Sequence, residues 1–275
     1  MPNVAAWRWA GSLRRRRGGC AKVLWAVAAI GVGALDARAA APGSACPAPA
    51  PSVFRENGAE ELELLASRAG SSQPLRILAI GSSSTLGTGA SAPTNAYPAQ
   101  LAKDLSSQWG IATQVRNAGV AGEVSSATLA RLRAELASDP PELVIWQVGT
   151  NDAVAGVDAD AFRADLEAGV EAARAQRVPI ILVDPQFYFG IKNLMRFEQF
   201  VAIVGDVGAG MRVPVFSRFA MMKAWGAKSV ATLRATLAPD GFHMDDQGYA
   251  CFASALADDI AHEDLRAGKS SAAKM

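Results

Sequence analysis

From Arg76 onwards, short aliphatic runs alternate with longer amphipathic ones, and this alternation constrains the fold more than any other feature of the chain. The strand-like runs are Arg76–Ile80, Thr113–Arg116, Leu143–Val148, Ile180–Val183 and Val213–Phe216. Each is short, mostly apolar and bounded by turn or polar residues, the pattern of strands covered on both faces. The helix-like runs are Tyr97–Trp109, Ser125–Ser138, Ala159–Gln176, Asn193–Gly208 and Gln247–Arg266. Leu129, Leu132 and Leu136, and again Phe162, Leu166 and Val170, recur at the three-to-four spacing of a core-facing stripe. Strands alternating with helices predict a parallel sheet with helices on both faces and right-handed crossovers. Glu60–Ala66 reads as a short helix leading into the first strand. The chain has 275 residues, half of them apolar, enough for one domain of roughly 200 residues plus an appendage.

The appendage is N-terminal. Arg14–Arg17 precede an apolar stretch from Val23 to Leu35, and Ala37-Arg38-Ala39 then places small residues two apart. A positive segment, an apolar segment and an A-x-A site together make a secretory signal peptide. The apolar stretch is shorter than the ~20 residues that span a bilayer. The alternative is an uncleaved anchor. Cleavage near Ala39 or Ala41 predicts an exported product, periplasmic or extracellular, with no membrane span left. Residues 1–39 hold seven of the chain's 27 Lys/Arg and one of its 26 Asp/Glu, so 20 basic and 25 acidic residues remain, a net charge of −5. A body of that sign has no electrostatic reason to bind nucleic acid. The organisation expected is a signal peptide at 1–39, a Pro/Ala-rich tether at 40–57, a folded domain at 58–267 and a disordered tail at 268–275. Cys46 and Cys251 remain after cleavage and either form a disulfide or stay separate thiols, with Cys251 buried in a helix. Two cysteines and two histidines without ligand spacing offer no metal set, and no cofactor motif is present.

In a parallel α/β sheet, ligands sit beyond the carboxyl ends of the strands. The first such end reads Gly81-Ser82-Ser83-Ser84-Thr85, with Gly87 and Gly89 following. Small residues at a strand-to-helix turn let a serine hydroxyl project near backbone N–H groups. A plain polar turn is the competing account, and a phosphate cradle lacks its Gly-Lys-Ser/Thr ending. The second loop, Asn117-Ala118-Gly119-Val120-Ala121-Gly122, either offers the Gly122 N–H to a ligand or simply enters a helix. In Gly149-Thr150-Asn151-Asp152, Asn151 either caps a helix or aims its amide at a developing negative charge. The last block is Asp240-Gly241-Phe242-His243. A serine nucleophile needs a base and the base an orienting carboxylate, and one turn would let Asp240 reach Nδ1 of His243 while Nε2 faces the serine. His262 sits among Asp258, Asp259, Glu263 and Asp264, a solvated face, so any Ser–His chemistry depends on His243.

These four blocks, in this order, resemble the SGNH hydrolase superfamily, the GDSL-type esterases and lipases. The resemblance covers most of residues 76–261 and implies a flavodoxin-like three-layer α/β/α sandwich with a five-stranded parallel sheet. It implies Ser83 as nucleophile, His243 as base, Asp240 as its orienter, and Gly122, Asn151 and the Ser83 N–H as the oxyanion hole. Where the family motif has Asp and Leu on either side of the serine, this chain has Ser82 and Ser84. The departure removes no member of the triad but blurs the subgroup. The implied activity is hydrolysis of acyl esters through an acyl-enzyme, on a small acyl-ester, glycan-ester or lipid substrate. An acyltransferase acting on glycan hydroxyls, a lysophospholipase or thioesterase, and a non-enzymatic carbohydrate-binding module are the alternatives. Phe187, Tyr188 and Phe189 after the fourth strand, and Trp225 with Met221 and Met222 before Asp240, are placed either to line an acyl or sugar pocket or to pack the core.

Overall fold

Strand residues that alternate between two apolar surfaces require a helical layer on each, and the computed structural model has that arrangement. It describes residues 46–47, 54–55 and 73–272. Five parallel strands, β2 (Leu75–Gly81), β3 (Thr113–Gly119), β4 (Leu143–Gln147), β5 (Ile180–Val183) and β6 (Val215–Phe216), lie in the order β3-β2-β4-β5-β6. A two-residue strand β1, Phe54–Arg55, adds antiparallel to β6 at the outer edge. The register pairs Ile77 with Val115 and Leu78 with Val144 on the two sides of β2, then Ile145 with Ile181 and Leu182 with Val215.

The pleat divides the core in two. Ile77, Ala79, Ile145, Ile181 and Phe216 face a layer built from α2 (Tyr97–Trp109), α7 (Arg218–Lys228), α8 (Val230–Arg234) and α9 (Asp246–Ala272). Leu78, Ile80, Val144, Trp146, Leu182 and Val215 face the opposite layer of α3 (Ser125–Ser138), α5 (Ala159–Ala175) and α6 (Leu194–Met211). The expected stripes Leu129/Leu132/Leu136 and Phe162/Leu166/Val170 lie in this second core. β3 is the open edge, and its first four residues alternate with solvent, which explains the exposed Gln114 and Arg116. Two short helices, α1 (Ser83–Leu86) and α4 (Thr150–Ala155), start directly beyond β2 and β4.

Several boundaries differ from the sequence expectation for identifiable reasons. The approach to Asp240 is largely helical, as α7 and α8, and Met221, Met222 and Trp225 are 1%, 0% and 2% exposed within the core. α9 passes Arg266 and runs to Ala272, into the segment expected as a tail, because no proline stops it there. Part of the expected tether is tied down, by β1 pairing with the free edge of β6 and by a disulfide from Cys46 to Cys251, with Cα atoms 5.4 Å apart. The expected signal peptide, the Glu60–Ala66 helix and the last three residues lie outside the described residues, as does the side chain of His262. Among the described residues no helix is long and apolar enough to cross a membrane.

Candidate active site

The chain leaves β2, second from one edge of the sheet, builds β3 at that edge and then crosses back to β4 on the other side of β2. The crevice at that reversal is where a parallel sheet can receive a ligand. Ser83 occupies the first position of α1, immediately beyond the carboxyl end of β2. The four-residue helix is closed by Gly87, which is left-handed at φ +98° and donates its N–H to Ser83 O. The Ser83 N–H lies in the first turn, where no intrahelical acceptor exists.

His243 reaches this hydroxyl from the other end of the chain. Its Nε2 is 2.9 Å from Ser83 Oγ, and its Nδ1 is 2.6 Å from Asp240 Oδ2. A carboxylate only accepts, so the imidazole proton sits on Nδ1 and Nε2 accepts from the Ser83 hydroxyl. The other Asp240 oxygen accepts the N–H groups of Phe242 and His243, both at 2.9 Å, which turns the loop so that Oδ2 faces the ring. Burial pushes the Asp240 carboxyl up, but the His243 side-chain bond and these two N–H groups outweigh it and hold it below the usual carboxylate range. The structure thus brings Ser83, His243 and Asp240 into one hydrogen-bonded chain.

Asn151 is tied to the residue that follows Gly122. Gly149 is the residue that caps α4, so Asn151 stands inside the first turn and does not cap it. Its Nδ2 donates to Glu123 O at 2.7 Å, which fixes the amide plane and ties it to the residue following Gly122. Gly122 is exposed at φ +82°, with open space where a Cβ would stand, so glycine is required there by the turn and not by crowding. The loop is held against the serine turn by Val120 N–H on Gly81 O at 3.0 Å, and by Arg131, which reaches Ala118 O at 2.8 Å and Glu123 Oε1 at 2.9 Å. Asp152 accepts from Ser125 N–H at 2.7 Å and Gly149 N–H at 3.2 Å; burial pushes its carboxyl up while these bonds oppose the shift.

The aromatic candidates divide. Tyr188 packs edge-on against Phe242 at 4.7 Å, and Phe242 against His243 at 4.6 Å. Phe187 meets Phe189 at 5.8 Å and Phe219 at 5.5 Å, and Phe189 is 47% exposed. Trp225 is in the core and faces no opening.

Sequence reasoning overlooked the buried polar residues beneath the site. Gln147 Oε1 accepts from Ser82 N–H and Thr85 Oγ1, each at 3.1 Å, and from Ser82 Oγ at 3.2 Å, pinning both sides of the serine turn. A lone glutamine closing the run Leu143-Val144-Ile145-Trp146 was the available signal. Gln186, Thr150, Asp184 and Arg218 are likewise buried. Burial lowers the Arg218 guanidinium to about 10, against the opposing pull of Asp184, Tyr249 and Tyr97.

Comparison with known proteins finds similarity in sequence and in fold. A family model described as the Non-GDSL lipase-like family matches residues 45–263. Esterase TesA of Pseudomonas aeruginosa is 29% identical over 162 residues, 58% of this chain and 78% of that protein. A two-domain esterase active on acetylated mannans, crystallised with mannopentaose, superposes with TM-score 0.65 at 22% identity over 76% of this chain. The match spans 55% of that protein, about half its length. A peptidoglycan O-acetylesterase superposes with TM-score 0.64 at 15% identity, over 78% of this chain and 100% of its own. At such identities the two structures share the fold with this chain.

Proposed function

We propose that this chain, which belongs to the Non-GDSL lipase-like family of SGNH hydrolases and is thereby a hydrolase of ester bonds, works as an exported serine esterase with Ser83, His243 and Asp240 as its triad. The observation that carries the reading is the continuous path from Ser83 Oγ to His243 Nε2 at 2.9 Å and from Nδ1 to Asp240 at 2.6 Å. Both distances are within proton-transfer reach.

In this mechanism the Ser83 hydroxyl attacks the ester carbonyl carbon as His243 Nε2 takes its proton. Asp240 holds the ring in the Nδ1–H tautomer and stabilises the imidazolium. The carbonyl oxygen, now an anion, is held by the Ser83 N–H, the Gly122 N–H and the second Nδ2 hydrogen of Asn151, the first being engaged by Glu123 O. The C–O bond to the alcohol then breaks, and the departing oxygen takes the proton from His243. Water, deprotonated by His243, attacks the acyl-enzyme, and the acid leaves as Ser83 regains its proton.

An apolar portion in the ester is favoured by the rim. Leu86, Val120, Val154, Phe189, Leu194 and Met195 are all exposed, and each follows the carboxyl end of a parallel strand. Export is supported by the basic-then-apolar N-terminus and by the Cys46–Cys251 disulfide, since such bonds persist in oxidising compartments. The test is labelling with a fluorophosphonate, followed by a panel of short- and long-chain esters with and without a glycan acceptor. Wild type should label and Ser83→Ala should not; labelling that survives in Ser83→Ala refutes the nucleophile. Acyl transfer to the acceptor in preference to water would make the enzyme a transferase using the same groups.

A further inference from the structure

Ser83 and His243 stand on separate loops, and their 2.9 Å approach depends on how those loops are held. Gln186, in the loop after β5, is fully buried at 0% exposure and touches the sequence neighbour of each reacting residue. Its Oε1 accepts from Ser84 Oγ at 2.9 Å, next to the nucleophile, and its Nε2 donates to Phe242 O at 2.9 Å, next to the base. Its own backbone N–H donates to Thr150 Oγ1 at 3.3 Å, next to Asn151. One residue therefore bonds to the immediate neighbours of Ser83, His243 and Asn151, three of the four side chains that the esterase reading assigns to chemistry.

We propose that Gln186 is a positioning residue that sets the Ser83–His243 distance by bridging the serine turn to the histidine loop. The inference rests on the esterase reading of Ser83 and His243. It also accounts for Ser84: the leucine found there in the family motif could not donate to Gln186, so Ser84 and Gln186 form a matched pair. The primary amide suits the place because it donates toward a carbonyl and accepts from a hydroxyl at once. The bond to Ser84 is buried and the one to Phe242 O is part-buried, and the Gln186 side chain that makes both has no exposed surface. Loss of the bridge leaves the nucleophile and base free to separate, and misplacement on the order of 1 Å is enough to cost ~10²-fold in rate.

The experiment uses the full chain, active sites counted by exhaustive fluorophosphonate labelling, and p-nitrophenyl acetate as substrate. Gln186→Met keeps the length and removes both bonds; Ser84→Ala removes only the one to the turn. Gln186→Glu keeps the acceptor toward Ser84 but loses the donor toward Phe242 O when its carboxyl ionises. The expected result is a fall in kcat per labelled site of about 10- to 100-fold for Gln186→Met and a smaller fall for Ser84→Ala, with KM within about threefold. Gln186→Glu should lose activity as pH rises, a decline absent from wild type. A role limited to folding would lower the number of labelled sites and leave kcat per site unchanged. Values of kcat per site within threefold of wild type, or a Gln186→Glu profile that overlays wild type, overturn the proposal. If Gln186→Met does not fold, the other two variants decide. Ser83→Ala, measured alongside, separates failure of this inference from failure of the nucleophile assignment.

Discussion

Replacing Gly81 with alanine tests whether the first residue of the serine turn is there for want of room. Gly81 closes β2, and a Cβ built on it would stand 2.5 Å from Thr85 Oγ1, 2.6 Å from Gln147 O and 2.9 Å from Gln147 Oε1. The middle contact is backbone of β4, which is paired to β2 one residue earlier through Ile80 and Trp146, so the strand cannot retreat without opening the ladder. The outer two are the partners that hold the serine turn, through the 3.1 Å bond between Thr85 Oγ1 and Gln147 Oε1. Overpacking of a tight core costs about 1–3 kcal/mol, and a buried polar group left unpaired costs about 1–3 kcal/mol more. The smaller entropy of the unfolded alanine chain returns only about 0.4–1 kcal/mol. The net expectation is a loss of about 3 kcal/mol, or 1–2 M in the urea midpoint at an m-value of about 2 kcal/mol/M. Because the displaced atoms carry Ser83, fluorophosphonate labelling of the folded fraction should slow by about 10- to 100-fold. Gly210, in α6 with open space at its Cβ position, is the control, and its change to alanine should not lower the midpoint. A Gly81→Ala protein with wild-type midpoint and wild-type labelling rate would refute the steric account.

Two other expectations concern the site directly. Asn151→Ala removes one proposed oxyanion donor and should reduce kcat by about 10²–10³, while the lost bond to Glu123 O should cost only about 1 kcal/mol of stability. A folded variant with kcat within threefold of wild type would leave Asn151 no role beyond holding Glu123. The Asp240 carboxyl lies below its ordinary range when folded, so its stabilising contribution is complete above the unfolded value of ~3.9 and is lost as pH falls through the lower folded value. Wild type should therefore exceed Asp240→Asn in urea midpoint at neutral pH, and the gap should close in acid; a gap that widens on acidification contradicts the assigned direction.

Much of the scaffold was legible because it rests on local periodicity. Ile180–Val183, Tyr97–Trp109 and Ser125–Ser138 begin and end in the structure where the apolar pattern places them. α7 was missed because Arg218–Lys228 is only weakly amphipathic: Phe219 faces one core, Met221, Met222 and Trp225 face the other, and the charged Arg218 is buried, so its helix is imposed by the layer it fills. β1 was missed because two residues carry no period, and only the open edge of β6 recruits them. The motif residues stood out because Ser83 and Asn151 directly beyond strands, followed by Asp240 and His243 three apart before the last helix, form a chemically conspicuous order. Gln147 and Gln186 were not, since a glutamine carries no directional signal until its partners are known.

What the chain's own order determined was the layered α/β architecture and the identity of the groups brought to one rim, because the periods of 2 and 3.6 and the strand-end loops are properties of neighbours in sequence. What only the tertiary structure decided was the distances. Ser83 and His243 are 160 residues apart, and Ser84 and Gln186 are 102 apart. The 2.9 Å contacts between them arise from the packing of two helical layers on one sheet, and no stretch of sequence short enough to read as a motif contains both partners.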